Sequence, residues 1–490
     1  MSLSPNHASS GIDGLDQILN GGFYRGQLYL IRGNSGAGKT PLSLQFLMNG
    51  ADNGEKVLYL GTSETTGDIH RVADSHGWSL DNVVLYHHEV QEFGAEQTIL
   101  HPAELELPQT VSSLLSVVED VAPTRLVIDS LAEIRVLARD ELWYRRQLMM
   151  LKQYFASRHC TVLLVEIPLD EQSMLDSIVS GVVELEQATP LYGPDRRRLR
   201  VNKVRGQDFT SGYHDYKIRR GGIDVFPRLI AAEHRQTVAF QQITTGLAAI
   251  DAMLAGGLVR GTSTLLLGPS GTGKSLLATQ FAVAAAARGE RSLFYVFDER
   301  VQTLLQRAEG VGLPLRHYLD RDLIRIRQVD PAELTSGELN HLMKIAVEHD
   351  GVRMLIIDSL NGYGYAMPEE RMLGVYLHEL GSYLNQQAVT SVFTMTQHGL
   401  VSEHIEQTFD ISYVADIVFL FRHFEFAGEV HKALSVYKNR SSAHETAIRE
   451  LRIDAGGIHL GEPLRRFQGI LGGSPTFLGH DLDGHHPDAE

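Results

Sequence analysis

Two hydrophobic patterns alternate along this chain. Short runs that are apolar at every position are followed by longer stretches in which apolar residues recur at helical spacing. Leu28-Tyr29-Leu30-Ile31, Val57-Leu58-Tyr59-Leu60 and Leu126-Val127-Ile128 are of the first kind, and Leu42, Leu44, Phe46 and Leu47 mark a helix after the first of them. The alternation returns in Thr264-Leu265-Leu266-Leu267, Leu293-Phe294-Tyr295-Val296-Phe297 and Met354-Leu355-Ile356-Ile357. A strand that is apolar throughout is covered on both faces, so the pattern predicts α/β architecture: mainly parallel sheets flanked by helices. Ligands of such sheets bind at the carboxyl ends of the strands. Pro41 falls in the first turn of the predicted helix, where its missing N–H is tolerated.

The second set of elements is a copy of the first. Ser10-Gly11-Ile12-Asp13-Gly14-Leu15-Asp16, Gly21-Gly22-Phe23 and Arg25-Gly26 return as Thr245-Gly246-Leu247-Ala248-Ala249-Ile250-Asp251, Gly256-Gly257-Leu258 and Arg260-Gly261. Gly11 and Gly246, Gly22 and Gly257, and Gly33 and Gly268 share one offset of 235 positions, and so do Lys203 and Lys438. A period this long means tandem domains, because solenoid repeats are far shorter. Residues 1–232 form the expected first domain, 243–476 the second and 477–490 a solvated tail containing His480, His485 and His486.

Each copy carries a phosphate-binding loop between a predicted strand and helix. Gly33-Asn34-Ser35-Gly36-Ala37-Gly38-Lys39-Thr40 and Gly268-Pro269-Ser270-Gly271-Thr272-Gly273-Lys274-Ser275 both fit G-x-x-x-x-G-K-[ST]. In this motif the glycines let backbone N–H groups close on phosphates, the Lys reaches the β- and γ-phosphates, and the Thr or Ser hydroxyl ligates Mg²⁺. The expected cofactors are therefore ATP and Mg²⁺, with Thr40, Ser275, Asp129 and Asp358 as metal-side residues. The two Asp residues end the apolar runs Arg125–Asp129 and Met354–Asp358. Phosphoryl chemistry also needs a group that orients or deprotonates the nucleophile and positive charge for the transition state. Ser63-Glu64 and Asp298-Glu299 end the next strands and supply the acids Glu64, Asp298 and Glu299. Lys203 and Arg205, with Lys438 and Arg440, alternate onto one strand face and can meet a neighbouring subunit's nucleotide.

Composition narrows the partners. The 490 residues carry a formal net charge of −16, which argues against coating nucleic acid as the main task. No apolar run is long enough to span a bilayer, and the chain's start lacks a signal-peptide pattern. With Cys160 as the only cysteine, a cytoplasmic protein without intrachain disulfides is expected, and Cys160 beside an apolar strand reads as packing.

Over roughly residues 8–476 the chain resembles the KaiC family of tandem RecA-like ATPases. The carriers are the paired openings, both phosphate loops, the strand-end acids and Tyr437-Lys438-Asn439-Arg440-Ser441-Ser442-Ala443-His444-Glu445-Thr446-Ala447-Ile448-Arg449-Glu450, similar to that family's K-x-R-x-S-x-H…I-R-E signature. The resemblance implies a homohexameric double ring with ATP at subunit interfaces, Lys/Arg pairs acting in trans, and a protein signalling partner. Clock members carry two adjacent acids where this chain has Ser63-Glu64, and an adjacent Ser-Thr phosphoacceptor pair. Asp410-Ile411-Ser412-Tyr413-Val414-Ala415-Asp416-Ile417 resembles that region, with Ser412 on the Ser position, Tyr413 replacing Thr and Asp416 as anchor. This implies a serine autokinase in the second domain without a two-step cycle, and leaves the second site better furnished for phosphoryl transfer. A nucleotide-gated scaffold without kinase activity is the competing reading, followed by a DNA-dependent motor.

Overall fold

The computed structural model describes residues 5–88, 102–136, 140–167, 175–190, 193–234, 239–365, 373–397, 415–471 and 475–478. The chain divides into two compact units, Met1–Arg228 and Leu229–Glu490. The first is built on strands β1 (Leu28–Gly33), β2 (Val57–Gly61), β3 (Val84–His87), β4 (Arg125–Asp129), β5 (Thr161–Glu166), β6 (Gly181–Ala188), β7 (Arg196–Val204), β8 (Tyr213–Arg219) and β9 (Gly222–Phe226). The second is built on β10 (Ser263–Gly268), β11 (Arg291–Val296), β12 (Ile324–Gln328), β13 (Val352–Asp358), β14 (Thr390–Thr396), β15 (Ile417–Phe426), β16 (Glu429–Asn439), β17 (Arg449–Asp454) and β18 (Gly457–Pro463).

The nine-stranded sheets have the same order, β9-β8-β7-β6-β1-β5-β4-β2-β3 and β18-β17-β16-β15-β10-β14-β13-β11-β12. The strands from β1 to β6 run parallel, as do those from β10 to β15, and the rest of each sheet is an antiparallel extension. The expected α/β class holds in both units.

Alternation along β1 explains why its residues are apolar at successive positions. Leu28 and Leu30 enter the core cluster on one face of the sheet, and Tyr29 and Ile31 enter the cluster on the other. In β10, Leu265 and Leu267 lie on one face and Leu266 on the opposite one. The helices Lys39–Asp52 and Lys274–Ala287 follow directly from the two loops and are anchored by Leu42, Leu44, Phe46 and Leu47 in one copy and by Leu277, Phe281 and Ala285 in the other. The openings are fixed by one carboxylate each. Asp16 accepts from the Ser10 N–H at 2.8 Å and the Ser9 hydroxyl at 2.6 Å; Asp251 accepts from the Thr245 N–H at 2.8 Å and the Thr244 hydroxyl. Beyond β9, Leu229 and Ala231 pack in a core cluster of the second unit, and the Ala231 N–H donates to Glu379 at 3.1 Å.

Candidate functional site

The two loops occupy the carboxyl ends of β1 and β10, at the start of the following helices. Gly36 (φ 81°), Gly38 (φ 92°), Gly271 (φ 79°) and Gly273 (φ 107°) adopt left-handed backbone, which side-chain-bearing residues rarely tolerate. Gly33 and Gly268 are constrained by space: a Cβ on either would lie 2.8 Å from the Leu185 carbonyl oxygen or 2.5 Å from that of Phe421. Lys39 Nζ donates to the carbonyls of Gly33 (2.7 Å) and Asn34 (2.9 Å), and Lys274 Nζ to those of Gly268 (2.8 Å) and Pro269 (2.7 Å). Burial pushes the Lys39 ammonium below its ordinary range and brings that of Lys274 down to about 8. An anion between these amines and the helix N-termini would reverse that cost, so both cradles fit a bound phosphate chain.

Asp129 and Asp358 sit beside the loops but are held differently. Asp129 Oδ2 accepts from the buried Tyr59 hydroxyl at 2.7 Å and from Thr40 Oγ1 at 3.3 Å. Asp358 Oδ1 instead accepts from the buried Thr394 hydroxyl. Sheet register makes this an exchange: Tyr59 corresponds to Phe294, and Thr394 to Val165. Burial raises the Asp129 carboxyl, against the hydrogen bond from Tyr59. Thr40 and Asp129 thus converge as a hydroxyl and a carboxylate suited to Mg²⁺ and its water ligands.

The strand-end acids also differ. Glu64 is half-buried, and its Oε2 has no hydrogen-bond partner. Burial, then the nearby Asp129, raises its carboxyl, while Lys39 opposes the shift. In the second unit Glu299 is bonded to Arg307 at 2.6 Å, and Asp298 accepts from the Ser359 hydroxyl at 2.5 Å. Ser63 is exposed, and in the first unit the neighbouring Thr62 hydroxyl donates to the Ser130 carbonyl at 2.9 Å. The second site therefore has both acids engaged by fixed partners, whereas Glu64 presents a buried, unpartnered oxygen.

The Lys/Arg pairs do not meet the loop of their own unit. Lys203 lies beside Val182, and Val182 beside Leu30, three positions before Gly33 and two strands away. Strand rise and spacing put Lys203 on the order of 14 Å from that glycine. Lys438, Val418 and Leu265 repeat the arrangement before Gly268. Lys203 Nζ donates to the carbonyls of Asp176 and Val179, Arg205 to that of Ser177 at 2.6 Å, and Lys438 to that of Ala415 at 2.7 Å. The Arg440 N–H donates to the Asp416 carbonyl at 2.9 Å, and Asp416 is itself pinned by the Ser263 N–H at 2.9 Å.

A model of the KaiC ATPase family matches residues 8–230 and again 243–465. The chain belongs to the KaiC ATPase family. A circadian clock oscillator protein KaiC of Synechococcus elongatus is 29% identical over 481 residues, 95% of this chain and 91% of the relative. A circadian clock protein KaiC3 of Synechocystis sp. is 27% identical over 479 residues, 96% of this chain and 94% of the relative.

In this KaiC-family ATPase several site residues carry no motif. Tyr59, Thr394 and Arg307 look like ordinary strand or helix positions, and only pairing identifies what they touch. Tyr216 is another: its hydroxyl donates to the Ala37 carbonyl at 2.5 Å and steadies the first loop, whereas the second is closed by its own Thr272 hydroxyl, 2.9 Å from the Pro269 carbonyl. Ser412 and the tail histidines lie outside the described residues. Among the described residues no helix is long and apolar enough to cross a membrane. Cys160 is 1% exposed, and burial raises its thiol to about 12. Iodoacetamide at pH 8 is therefore expected to leave it unmodified in the native protein and to alkylate it fully in guanidinium, read by intact mass.

Proposed function

We propose that both domains bind Mg·ATP and that the protein works as a ring of six subunits in which each nucleotide lies between a loop and the neighbour's Lys/Arg pair. The placement of Lys203, Arg205, Lys438 and Arg440 carries this reading: each domain has a loop, an Asp and a strand-end acid together, with its cations about 14 Å from its own loop. Gly33, Ser35, Gly36, Gly38, Lys39 and Thr40, and Gly268, Ser270, Gly271, Thr272, Gly273, Lys274 and Ser275, would cradle the phosphates. Thr40 with Asp129 and Ser275 with Asp358 would hold Mg²⁺, which neutralises phosphate charge. Glu64 orients and deprotonates the attacking water in the first domain. Asp298 and Glu299 do so in the second, where the Ser412 hydroxyl of an adjacent subunit is the competing nucleophile and gives serine autophosphorylation. The names of the clock-protein relatives support a role in signalling or timing through a protein partner.

The scaffold reading has its own support in the engagement of Glu299 by Arg307 and Asp298 by Ser359, which slows the second site. Turnover of Glu64→Gln and of Asp298→Asn with Glu299→Gln separates the readings. Loss of a general base costs on the order of 100-fold at the affected site. Glu64→Gln is expected to remove most hydrolysis, and the double variant to abolish phosphate on Ser412 by mass spectrometry. Unchanged turnover in Glu64→Gln would make the first ring an assembly platform, and no phosphate on the unmodified chain after long incubation with Mg·ATP would remove the kinase.

A further inference from the structure

The first domain holds a partly buried ionic network beside its phosphate loop. Arg32, directly before Gly33, bonds Asp176 through both carboxylate oxygens at 2.5 and 3.4 Å, and its Nε lies 3.8 Å from Glu166. Arg135 approaches the other oxygen of Glu166 at 4.0 Å. Glu166 is 3% exposed and Arg32 9%. Register puts Leu267 and Met395 where the first domain has Arg32 and Glu166. The second sheet thus has an apolar pair at these two strand positions, so the charges of Arg32 and Glu166 are not needed to form the strands, and a buried pair is weak evidence for stability in any case.

The network leads to the cations. Asp176 opens the one-turn helix Leu175–Ile178, and side chains take the carbonyls along it: Lys203 those of Asp176 and Val179, Arg205 that of Ser177 at 2.6 Å, and Lys152 that of Ile178 at 2.6 Å. A shift of this turn moves both Lys203 and Arg205. Arg32 fixes the turn to β1, one residue from the phosphate loop.

We infer that Arg32, acting through Asp176, is a positioning residue that sets Lys203 and Arg205 for the neighbouring subunit's nucleotide and ties their placement to the subunit's own loop. This rests on the trans reading above. A bidentate contact from a buried arginine transmits displacement because the packed interior that holds the arginine does not deform continuously.

The test uses the full chain with Asp298→Asn and Glu299→Gln throughout, so that turnover belongs to the first domain. Arg32→Leu, and the pair Arg32→Leu with Glu166→Met, which carries the second domain's residues at these strand positions, are expected to lower kcat by about 10- to 100-fold with little change in KM for ATP, since misplacement by about 1 Å costs that much. Arg32→Lys should recover part of it. Mixed with Glu64→Gln subunits, which keep their cations but lack a base, either variant should yield more turnover than the two proteins separately. A raised KM with unchanged kcat, or no gain on mixing, overturns the role of Arg32. A control mixture of Lys203→Ala with Glu64→Gln isolates the underlying reading: no gain there defeats trans action itself, and the Arg32 proposal with it.

Discussion

Arg125→Ala is expected to cost the first domain about 3–5 kcal/mol, the effect of removing one partner from a buried ion pair. Arg125 is 1% exposed and bonds Glu55 through Nε (3.1 Å) and a terminal nitrogen (2.8 Å), with the Ser9 and Phe46 carbonyls each at 2.8 Å. Its loss strands two buried acceptors, leaves Glu55 to Arg25, and removes the join between the chain opening, the loop helix and β4. Burial alone would raise the Glu55 carboxyl, but hydrogen bonds from Arg25 and Arg125 overrule it and hold it at about 2. A depressed carboxyl stabilises the fold above its unfolded value, about 4.3, and that stabilisation is lost as pH falls through about 2. Calorimetry at pH 7 should show the first domain's transition displaced downward in Arg125→Ala. The displacement should shrink as pH approaches 2, while the second domain's transition stays put. An unmoved first transition would mean that the carbonyls and Glu55 find other partners.

Arg440→Ala is expected to lower second-domain turnover by about a thousandfold or more, the worth of an arginine supplied in trans to a phosphoryl-transfer site. The measurement belongs in a Glu64→Gln background, so that the first domain is silent. Arg440→Lys should recover little, because an ammonium does not reproduce the planar fork of a guanidinium. Nucleotide affinity measured by fluorescence titration should change far less than turnover. Equal losses in both would assign Arg440 to ground-state binding.

The sequence displayed the parallel core of both sheets, since a strand buried on both faces writes itself as an uninterrupted apolar run, but not their antiparallel extensions. It displayed the loops, because left-handed backbone and close approach demand glycine at fixed spacing. Repetition at 235 positions singled out Lys203, Arg205, Lys438 and Arg440 among many surface cations. The partners of the acids were not legible. Arg307 lies on the helix after Glu299, and nothing in its neighbours distinguishes it from a solvated arginine. Tyr59 and Thr394 read as strand formers, and their hydroxyls acquire meaning only when neighbouring strands bring Asp129 and Asp358 beside them. The network of Arg32, Glu166 and Asp176 was hidden for the same reason: its members come from three separate elements.

The different hydroxyls on Asp129 and Asp358 limit how the two halves can trade parts. Tyr59→Phe alone removes the short buried bond to Asp129, and Val165 across the sheet has nothing to offer in its place. Adding the threonine first and removing the tyrosine afterwards keeps the carboxylate partnered at each step; the reverse order passes through a state in which Thr40 alone must serve. A chimaera that grafts one half's strand into the other must therefore carry residues in pairs, and tandem copies with the same strand order are not interchangeable modules.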